Sequence, residues 1–354
     1  MNLEQLCGRV IMVGIRGGSM DDPRTREDVA ACRETGVGGV VLFATDLGEG
    51  GDRNIHHPEQ LRHFVAGLRN ELGTDLIVSV DQEGGQVARL RPERGFEPHV
   101  SAASFGRLEP FSQRAQARSQ AKQLASLGID LNFAPCVDLL VDPDAPAIGA
   151  RDRSFSGDPE AAIACSKLWI DEHARVGVGC CIKHFPGHGS AGADTHEDLV
   201  DLTETYHEAD ELRVFEELID AYGGTLAVMT AHLMHRGIDP NHPASLSRAL
   251  TGGLLRARLG FDGVVITDSL DMGAVTQRYG ADDAMALALD AGADILLDGV
   301  NMPGQVRPQA ATRMHRSLVD AVSGGKVRGG AERLEQSVER IQAMFHSRSG
   351  TSTG

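Results

Sequence analysis

Short apolar runs alternate regularly with longer amphipathic segments along this chain, and this pattern limits the folds that it can adopt. The apolar runs have the length and β-branched content of strands, and glycine, a common helix stop, follows several of the amphipathic segments. We predict eight strands, at Arg9 to Gly14, Gly39 to Phe43, Asp75 to Val80, Asp130 to Pro135, Val178 to Ile182, Thr225 to Thr230, Gly263 to Ile266 and Ala293 to Leu297. The predicted helices between them include Pro58 to Leu72, Ser112 to Leu127, Pro159 to Val176, Glu208 to Tyr222, Ser247 to Leu259 and Ala281 to Ala291.

Eight strand–helix units in about 300 residues predict an α/β fold of the (β/α)₈ TIM type, built as a single domain. A doubly wound sheet would be expected to carry a glycine-rich nucleotide-binding turn after its first strand, and Gly17-Gly18 does not supply that turn. A last amphipathic helix, Ala331 to Phe345, is expected to pack on the barrel. We therefore predict one barrel domain over residues 1–346 and a disordered tail over residues 347–354.

Composition limits the classes of function. The longest apolar runs are strand-sized, so no membrane span is expected, and the start of the chain lacks the basic and apolar regions of a secretory signal. The net charge of −16 argues against binding of nucleic acid. The six cysteines contain no C-x-x-C pair and are predicted to be buried free thiols of a reducing compartment. We expect a cytoplasmic monomer, with neither nucleic acid nor a membrane as partner.

A polar segment directly after the fifth predicted strand is the strongest functional signal. Lys183 to Gly189 reads KHFPGHG, and Asp194-Thr195-His196 follows five residues later. An aspartate two residues before a histidine is a candidate dyad, because a carboxylate can orient the imidazole and raise its proton affinity.

Other predicted strands also end in titratable residues. Asp81 follows the third strand, His232 the sixth and Asp268 the seventh. Since the carboxyl ends of barrel strands converge on one face, these side chains and Lys183 are expected to share one active-site mouth.

At these residues the chain resembles glycoside hydrolase family 3, and specifically its single-domain β-N-acetylglucosaminidases. The matching segments are Asp81 to Arg89, Asp152 to Phe155, Lys183 to Gly189 with Asp194 to His196, and Phe261 to Met272. They follow one another in the family's order, from the third strand to the seventh, so the resemblance covers the whole barrel.

The resemblance implies a role for each matching residue. Asp268 would be the nucleophile, and His196 the general acid/base with Asp194 as its dyad partner. The residues implied to hold sugar hydroxyls are Asp81, Arg89, Arg153, Lys183 and His184. No cofactor or metal is implied.

Elementary chemistry agrees with these roles. A retaining glycosidase needs a carboxylate below the anomeric carbon and a proton donor beside the leaving oxygen. An imidazole donor avoids the repulsion between two carboxylates and has a pKa near neutral pH. Arginine and lysine can donate to several hydroxyls and keep Asp268 ionised.

Neighbouring residues have simpler interpretations. Asp271 is interpreted as a cap of the helix after the seventh strand, and His188 as a residue that shapes its loop. Glu83 is expected to support the turn in which it lies. His232 and His235 are either packed histidines or supports of the site, and the sequence leaves both open.

The implied function is that of a retaining exo-β-N-acetylglucosaminidase that releases terminal β-linked GlcNAc, from a muropeptide in peptidoglycan recycling or from a small-molecule conjugate. One alternative is a phosphorylase of the same family, which passes the covalent intermediate to phosphate. Another is a metal-dependent barrel hydrolase, suggested by fourteen histidines, although the first predicted strand contains none. The last is a noncatalytic sugar-binding barrel. Gln86 and the long, glycine-rich segment Ala44 to His57 depart from the family pattern, which leaves the aglycone side open.

Overall fold

The computed structural model describes residues 1–193, 199–303 and 309–346. Its strands are β1 (Ile11–Gly14), β2 (Gly39–Leu42), β3 (Ile77–Val80), β4 (Leu131–Asn132), β5 (Gly179–Phe185), β6 (Val200–Asp201), β7 (Ala227–Thr230), β8 (Leu233–Met234), β9 (Val264–Thr267) and β10 (Leu296–Asp298). Eight of them form a parallel sheet in the order β10-β1-β2-β3-β4-β5-β7-β9. A parallel bridge between Ile266 and Ile295 joins the two ends of this sheet. The predicted (β/α)₈ barrel is therefore confirmed.

Helices surround this barrel. They are α1 (Leu3–Arg9), α2 (Pro23–Thr35), α3 (Pro58–Leu72), α4 (Ala102–Gly106), α5 (Pro110–Ser126), α6 (Pro159–Ala174), α7 (Glu208–Tyr222), α8 (Gly273–Thr276), α9 (Ala281–Ala291), α10 (Ala310–Ser323) and α11 (Gly330–His346). Neighbours pack side by side, α5 on α6, α6 on α7, and α10 on both α9 and α2. The segment Arg248–Arg258 has π-helical hydrogen bonding in place of the regular helix predicted there.

The barrel strands are apolar because they are buried on both faces. Every residue of β1, β2, β3, β7 and β9 is buried. This burial is expected of parallel strands that helices cover, and it explains why the strand sequences are almost continuously apolar. Most observed strands are shorter than predicted, and β4 comprises only Leu131–Asn132. β5 is longer than predicted and includes Lys183 and His184 at its end. The short strands β6 and β8, which pair with each other, were not predicted.

The last helix packs on the barrel as expected, through a buried carboxylate. Asp294 is fully buried and forms ion pairs with Arg256, Arg333 and Arg340. Two of these arginines belong to α11, so the charge of Asp294 ties this helix to the start of β10. In the described part of the chain, no helix has both the length and the apolar character needed to cross a membrane. All six cysteines are buried and free, as predicted.

One buried histidine on α6 makes the fold sensitive to acid. His173 is completely buried, its Nδ1 lies 2.9 Å from the carbonyl oxygen of Trp169, and its ring stacks on the Trp169 indole. Burial lowers the pKa of His173 to about 4, from an ordinary value of 6.5. Because the unfolded chain binds a proton at this site at a higher pH than the folded chain does, acid favours unfolding.

We expect the free energy of unfolding to decrease as the pH falls from about 6.5 to about 4, with His173 responsible for about 3 kcal/mol of the decrease. The variant His173→Phe keeps an aromatic ring against Trp169 but cannot be protonated, so its stability should depend less on pH in this window. Urea unfolding at several pH values measures the difference. His63→Gln, at an exposed position on α3, is the control. Parallel pH profiles for wild type and His173→Phe would contradict the assignment.

Candidate active site

The barrel brings the ends of β5, β7 and β9 to one level. Phe185 pairs with Thr230, and Thr230 pairs with Thr267. The backbone N–H of Asp268 donates to the carbonyl oxygen of Thr230 at 2.9 Å. Lys183, two residues before Phe185, and Asp268, directly after Thr267, therefore lie at the same end of the barrel.

Lys183 lies at the centre of a buried ion-pair cluster in this mouth. Its side chain is only 2% exposed, and Nζ lies 2.8 Å from Asp81 Oδ1 and 2.8 Å from Glu83 Oε1. Burial alone would lower the pKa of Lys183, but the two carboxylates raise it above its ordinary value. Lys183 keeps the pKa of Asp81 below its usual range although that carboxylate is itself desolvated. All three groups are therefore ionised at neutral pH.

Glu83 connects this lysine to Arg153. The guanidinium of Arg153 binds Glu83 in a bidentate manner, with Nε 2.9 Å from Oε2 and Nη2 2.7 Å from Oε1. Burial would raise the pKa of Glu83, but Arg153 and Lys183 lower it well below its ordinary value. Glu83 does have a structural role, but its side chain orders two cations of the site rather than the turn in which it lies.

His184 is fixed in one tautomer by two partners. Its Nδ1 lies 2.6 Å from Asp138 Oδ2, and its Nε2 lies 3.2 Å from Arg153 Nη2. Since arginine can only donate, Nε2 accepts and Nδ1 carries the proton that is donated to Asp138. Asp138 is buried, yet His184 and the surrounding donors lower its pKa to about 2.

Arg89 lies at the outer side of the cluster. Its Nη2 is 3.3 Å from Asp81 Oδ2, and its guanidinium lies 5.6 Å from the centre of the Phe43 ring. Two backbone N–H groups, of Arg89 and Leu90, donate to Gln82 Oε1, which holds this part of the chain in place. The cluster thus joins all five predicted sugar-binding residues through direct contacts.

Asp268 lies on a tight turn after β9 and is half-buried. The N–H of Ser269 donates to Asp268 Oδ1 at 2.8 Å, which fixes the orientation of the carboxylate. His232, completely buried, approaches the carbonyl oxygen of Ser269 with Nε2 at 2.9 Å and binds Ser245 with Nδ1. His232 therefore supports the turn that carries Asp268, which answers the question that the sequence left open.

Asp271, the neighbouring carboxylate, has a different environment. It is 3% exposed, Ser269 Oγ donates to its Oδ1 at 2.6 Å, and the N–H of Asn301 donates to its Oδ2 at 3.1 Å. The interpretation as a helix cap is wrong, because Met272 occupies the position before α8 and no side chain caps that helix. Asp271 instead ties the turn after β9 to the end of β10.

The predicted dyad residues Asp194 and His196 lie outside the described residues. The chain that leads to them is anchored by Glu211 of α7, whose Oε2 accepts from the N–H groups of Gly189 and Ser190. His188 is buried, and its N–H donates to Asp138 Oδ1 at 2.7 Å. Burial lowers the pKa of His188 to about 4. These contacts agree with the interpretation of His188 as a residue that shapes the loop.

Removing the charge of Glu83 should destabilise the protein strongly. Glu83→Gln keeps the shape of the side chain but leaves Arg153 and Lys183 buried with one counter-charge fewer. Loss of one partner from a buried ionic network costs about 3 to 5 kcal/mol. Denaturant unfolding measures this change, with Glu217→Gln as the matched control. Glu217 is half-exposed and pairs with Lys167 at 3.5 Å, so its change should stay below about 1 kcal/mol. Equal losses in the two variants would contradict a structural role for the buried network.

Comparison with known proteins identifies the family of this chain. The model of the glycosyl hydrolase family 3 N-terminal domain matches residues 3–344. A beta-hexosaminidase from Tolumonas auensis is 34% identical over 310 residues, which cover 84% of this chain and 84% of that protein.

Solved structures are similar to this chain over nearly its whole length. A glycoside hydrolase family 3 beta-N-acetylglucosaminidase from Paenibacillus sp. str. FPU-7 superposes with a TM-score of 0.86 at 31% identity. The match covers 100% of this chain but 64% of that longer chain. A beta-N-acetylhexosaminidase from Beutenbergia cavernae superposes with a TM-score of 0.85 at 30% identity, over 98% of this chain and 99% of that one. The present chain is a glycoside hydrolase and belongs to glycosyl hydrolase family 3.

Proposed function

We propose that this chain is a retaining exo-β-N-acetylglucosaminidase that hydrolyses terminal β-linked GlcNAc, and that residues 1–346 form its catalytic domain. The observation that carries the proposal is a half-buried, oriented carboxylate at the same barrel mouth as a cluster of buried hydrogen-bonding charges. A carboxylate on a turn beside a cluster that can hold hydroxyl groups suits attack on the anomeric carbon of a bound sugar. The names of the relatives support GlcNAc as that sugar.

Asp268 acts as the nucleophile in this proposal. Its carboxylate attacks the anomeric carbon, the glycosidic bond breaks, and a glycosyl ester forms on an Asp268 oxygen. Water then attacks the same carbon and releases the sugar with its configuration retained. The burial of Asp271, and the donors to both of its oxygens, support Asp268 over Asp271 in this role.

His196 would protonate the leaving oxygen in the first step and deprotonate water in the second, with Asp194 orienting the imidazole. These two residues follow a loop that leaves β5 at the mouth and is anchored by Glu211. Histidine suits this step because its ordinary pKa lies close to neutral pH.

The cluster would hold the sugar. An ammonium has three N–H donors, and two of those of Lys183 point to Asp81 and Glu83, so the third can serve a hydroxyl. Asp81 can accept from hydroxyls, while Arg89, Arg153 and His184 complete the set of polar groups around the ring. Because Lys183 is buried and ion-paired, its position is set before substrate arrives, which reduces the entropy that binding must overcome.

A panel of aryl β-glycosides that differ at C2 tests the proposal. We expect turnover of the 2-acetamido glycoside, with the β-glucoside at least about tenfold poorer, and retention of configuration by NMR. Turnover of the glucoside alone would assign the chain to another specificity within the family, and inversion would contradict the covalent mechanism.

Assays with phosphate, EDTA or zinc in the buffer test the two other enzymatic functions, a phosphorylase and a metal-dependent hydrolase. If phosphate accepts the sugar, product analysis in phosphate buffer will show a sugar 1-phosphate in place of free GlcNAc. If the reaction depends on a metal, EDTA will abolish it and zinc will restore it. We expect free GlcNAc as the product both in phosphate buffer and in the presence of EDTA, because the proposed chemistry uses a carboxylate and an imidazole.

We propose a cytoplasmic setting and a monomeric enzyme, with a muropeptide or a small GlcNAc conjugate as substrate. The six buried free thiols support a reducing compartment. Gel filtration and assays of cytoplasmic and periplasmic fractions test these two points directly.

A further inference from the structure

Three side chains with metal-binding atoms meet beside the proposed sugar site. Cys136 and Asp138 follow β4, and His184 is the last residue but one of the neighbouring strand β5. Among the residues that the structure describes, Cys Sγ, a carboxylate oxygen and a His ring nitrogen here lie within 4.8 Å of one another. The three residues are 2%, 1% and 6% exposed. A soft sulfur, an imidazole and a carboxylate are the ligand types that zinc prefers.

The hydrogen bonds of this cluster converge on one atom. Cys136 Sγ lies 3.2 Å from Asp138 Oδ2, and His184 Nδ1 lies 2.6 Å from the same oxygen. The other carboxylate oxygen, Oδ1, accepts from the backbone N–H of His188 at 2.7 Å, so the carboxylate is held in place independently of these two donors. Two hydrogens thus occupy the space between three potential ligands.

We propose that a thiophilic divalent cation, with Zn²⁺ as the physiological case, replaces these two hydrogens and binds Cys136 Sγ, Asp138 Oδ2 and His184 Nδ1. The thiol proton leaves to solvent. The imidazole proton moves, through exchange with solvent, from Nδ1 to Nε2, so His184 stays neutral. The thiolate and the carboxylate then balance the charge of the cation, and a tetrahedral ion keeps a fourth position for water.

A metal ion at this site inhibits the enzyme, because it leaves the imidazole proton on Nε2 of His184. In the structure, Nε2 of His184 accepts from Arg153 Nη2 at 3.2 Å. Once Nε2 carries the proton, two donors oppose each other, and Arg153 must move away. This consequence rests on the proposed function, in which both residues hold the sugar, whereas metal binding itself does not depend on it.

The simpler interpretation is that Cys136 is only a packing residue. It does lie in a small apolar cluster with Ala147 and Ile148. The two interpretations differ in one respect, since a packing residue gives no metal-dependent signal from its sulfur.

Cd²⁺ is the probe for a direct test, because cadmium thiolates absorb in the ultraviolet through ligand-to-metal charge transfer. We expect a saturable absorption band in the wild-type protein, with one ion per chain, and its loss when Zn²⁺ is added in competition. Cys136→Ser, which is nearly isosteric, and Cys136→Ala should each weaken binding by about tenfold or more and remove the band. Cys165→Ser, a buried thiol of α6 that is bound to Gln113, is the matched control and should leave the band intact.

The same variants connect binding to activity. Zn²⁺ should inhibit the wild-type enzyme and Cys165→Ser, while Cys136→Ser should keep its kcat/KM and lose the inhibition. A band that persists in both Cys136 variants, or that is absent from the wild-type protein, would overturn the metal site. If the chain fails to hydrolyse any glycoside, the absorption titration still decides the question, so failure of the proposed function can be told apart from failure of this inference.

Discussion

Asp268→Asn should lower kcat by about 10⁴-fold or more, with little change in stability. Removing the nucleophile of a covalent mechanism typically has an effect of at least this size, because the intermediate can no longer form. Asparagine has the same shape, and its side-chain oxygen can still accept from the N–H of Ser269, so the turn should be preserved. Steady-state rates with an activated aryl glycoside, together with thermal unfolding, measure both expectations.

A fluorosugar that traps the covalent intermediate identifies the attacking residue independently. We expect the adduct on Asp268 in the wild-type protein and none in Asp268→Asn. Asp271→Asn serves as the control, since its change disturbs the contacts to Ser269 and Asn301 without removing the proposed nucleophile. Recovery of the adduct on Asp271, or a nearly normal rate for Asp268→Asn, would refute the assignment.

The barrel could be predicted because its strands can be recognised in the sequence as apolar runs. Parallel strands buried on both faces are uninterrupted apolar runs, and eight such runs separated by helices leave few other topologies. Strand lengths could not be predicted as well. They depend on which residues find backbone partners on both sides, and β4 retains only Leu131–Asn132 in the sheet although its apolar run is longer. The strands β6 and β8 could not be predicted either, because a strand of two residues is too short to show an alternation of apolar and polar residues.

The positions of the site residues could be predicted, but their partners could not. Asp81 and Asp268 follow strands and Lys183 lies near the carboxyl end of one, and the convergence of these strand ends places all three at one mouth. Asp138 follows β4 in the same way, yet the sequence analysis did not single it out, although the same rule could have found it. Nothing local in the sequence indicates that Glu83 pairs with Arg153, 70 residues further along the chain. That contact depends on the fold as a whole.

Asp271 shows why proximity in sequence misleads at such sites. An acid just before a helix is commonly a cap, and the sequence favoured that interpretation. The barrel instead brings Asn301, which follows β10, close to this residue, and its backbone N–H donates to Asp271 Oδ2 at 3.1 Å. Arg53 donates to the side chain of the same asparagine at 2.7 Å, so the long segment Ala44 to His57 is linked to the turn of Asp268 through Asn301 and Asp271. A segment that departs from the family pattern therefore has a structural connection to the catalytic turn.

His196→Ala should slow substrates with poor leaving groups by about 10² to 10⁴-fold and activated aryl glycosides far less. Only the former need a proton in the transition state, because an activated phenolate can leave without one. Asp194→Asn should give a milder form of the same pattern, since it disorients the imidazole and lowers its proton affinity without removing it. A plot of log kcat/KM against leaving-group pKa, for wild type and both variants, measures the effect as a steeper slope.

The contacts of the described residues limit which residue could replace His196 as proton donor. Equal losses across all leaving groups would mean that His196 contributes to binding or structure, and another residue would have to supply the proton. Glu83 and His232 would be the first to test, but Glu83 is held by Arg153 and Lys183, and His232 lies against Ser245 and the carbonyl oxygen of Ser269. Neither can reach a leaving oxygen without giving up these contacts. A steeper slope in His196→Ala is therefore the outcome that this arrangement of charges leads us to expect.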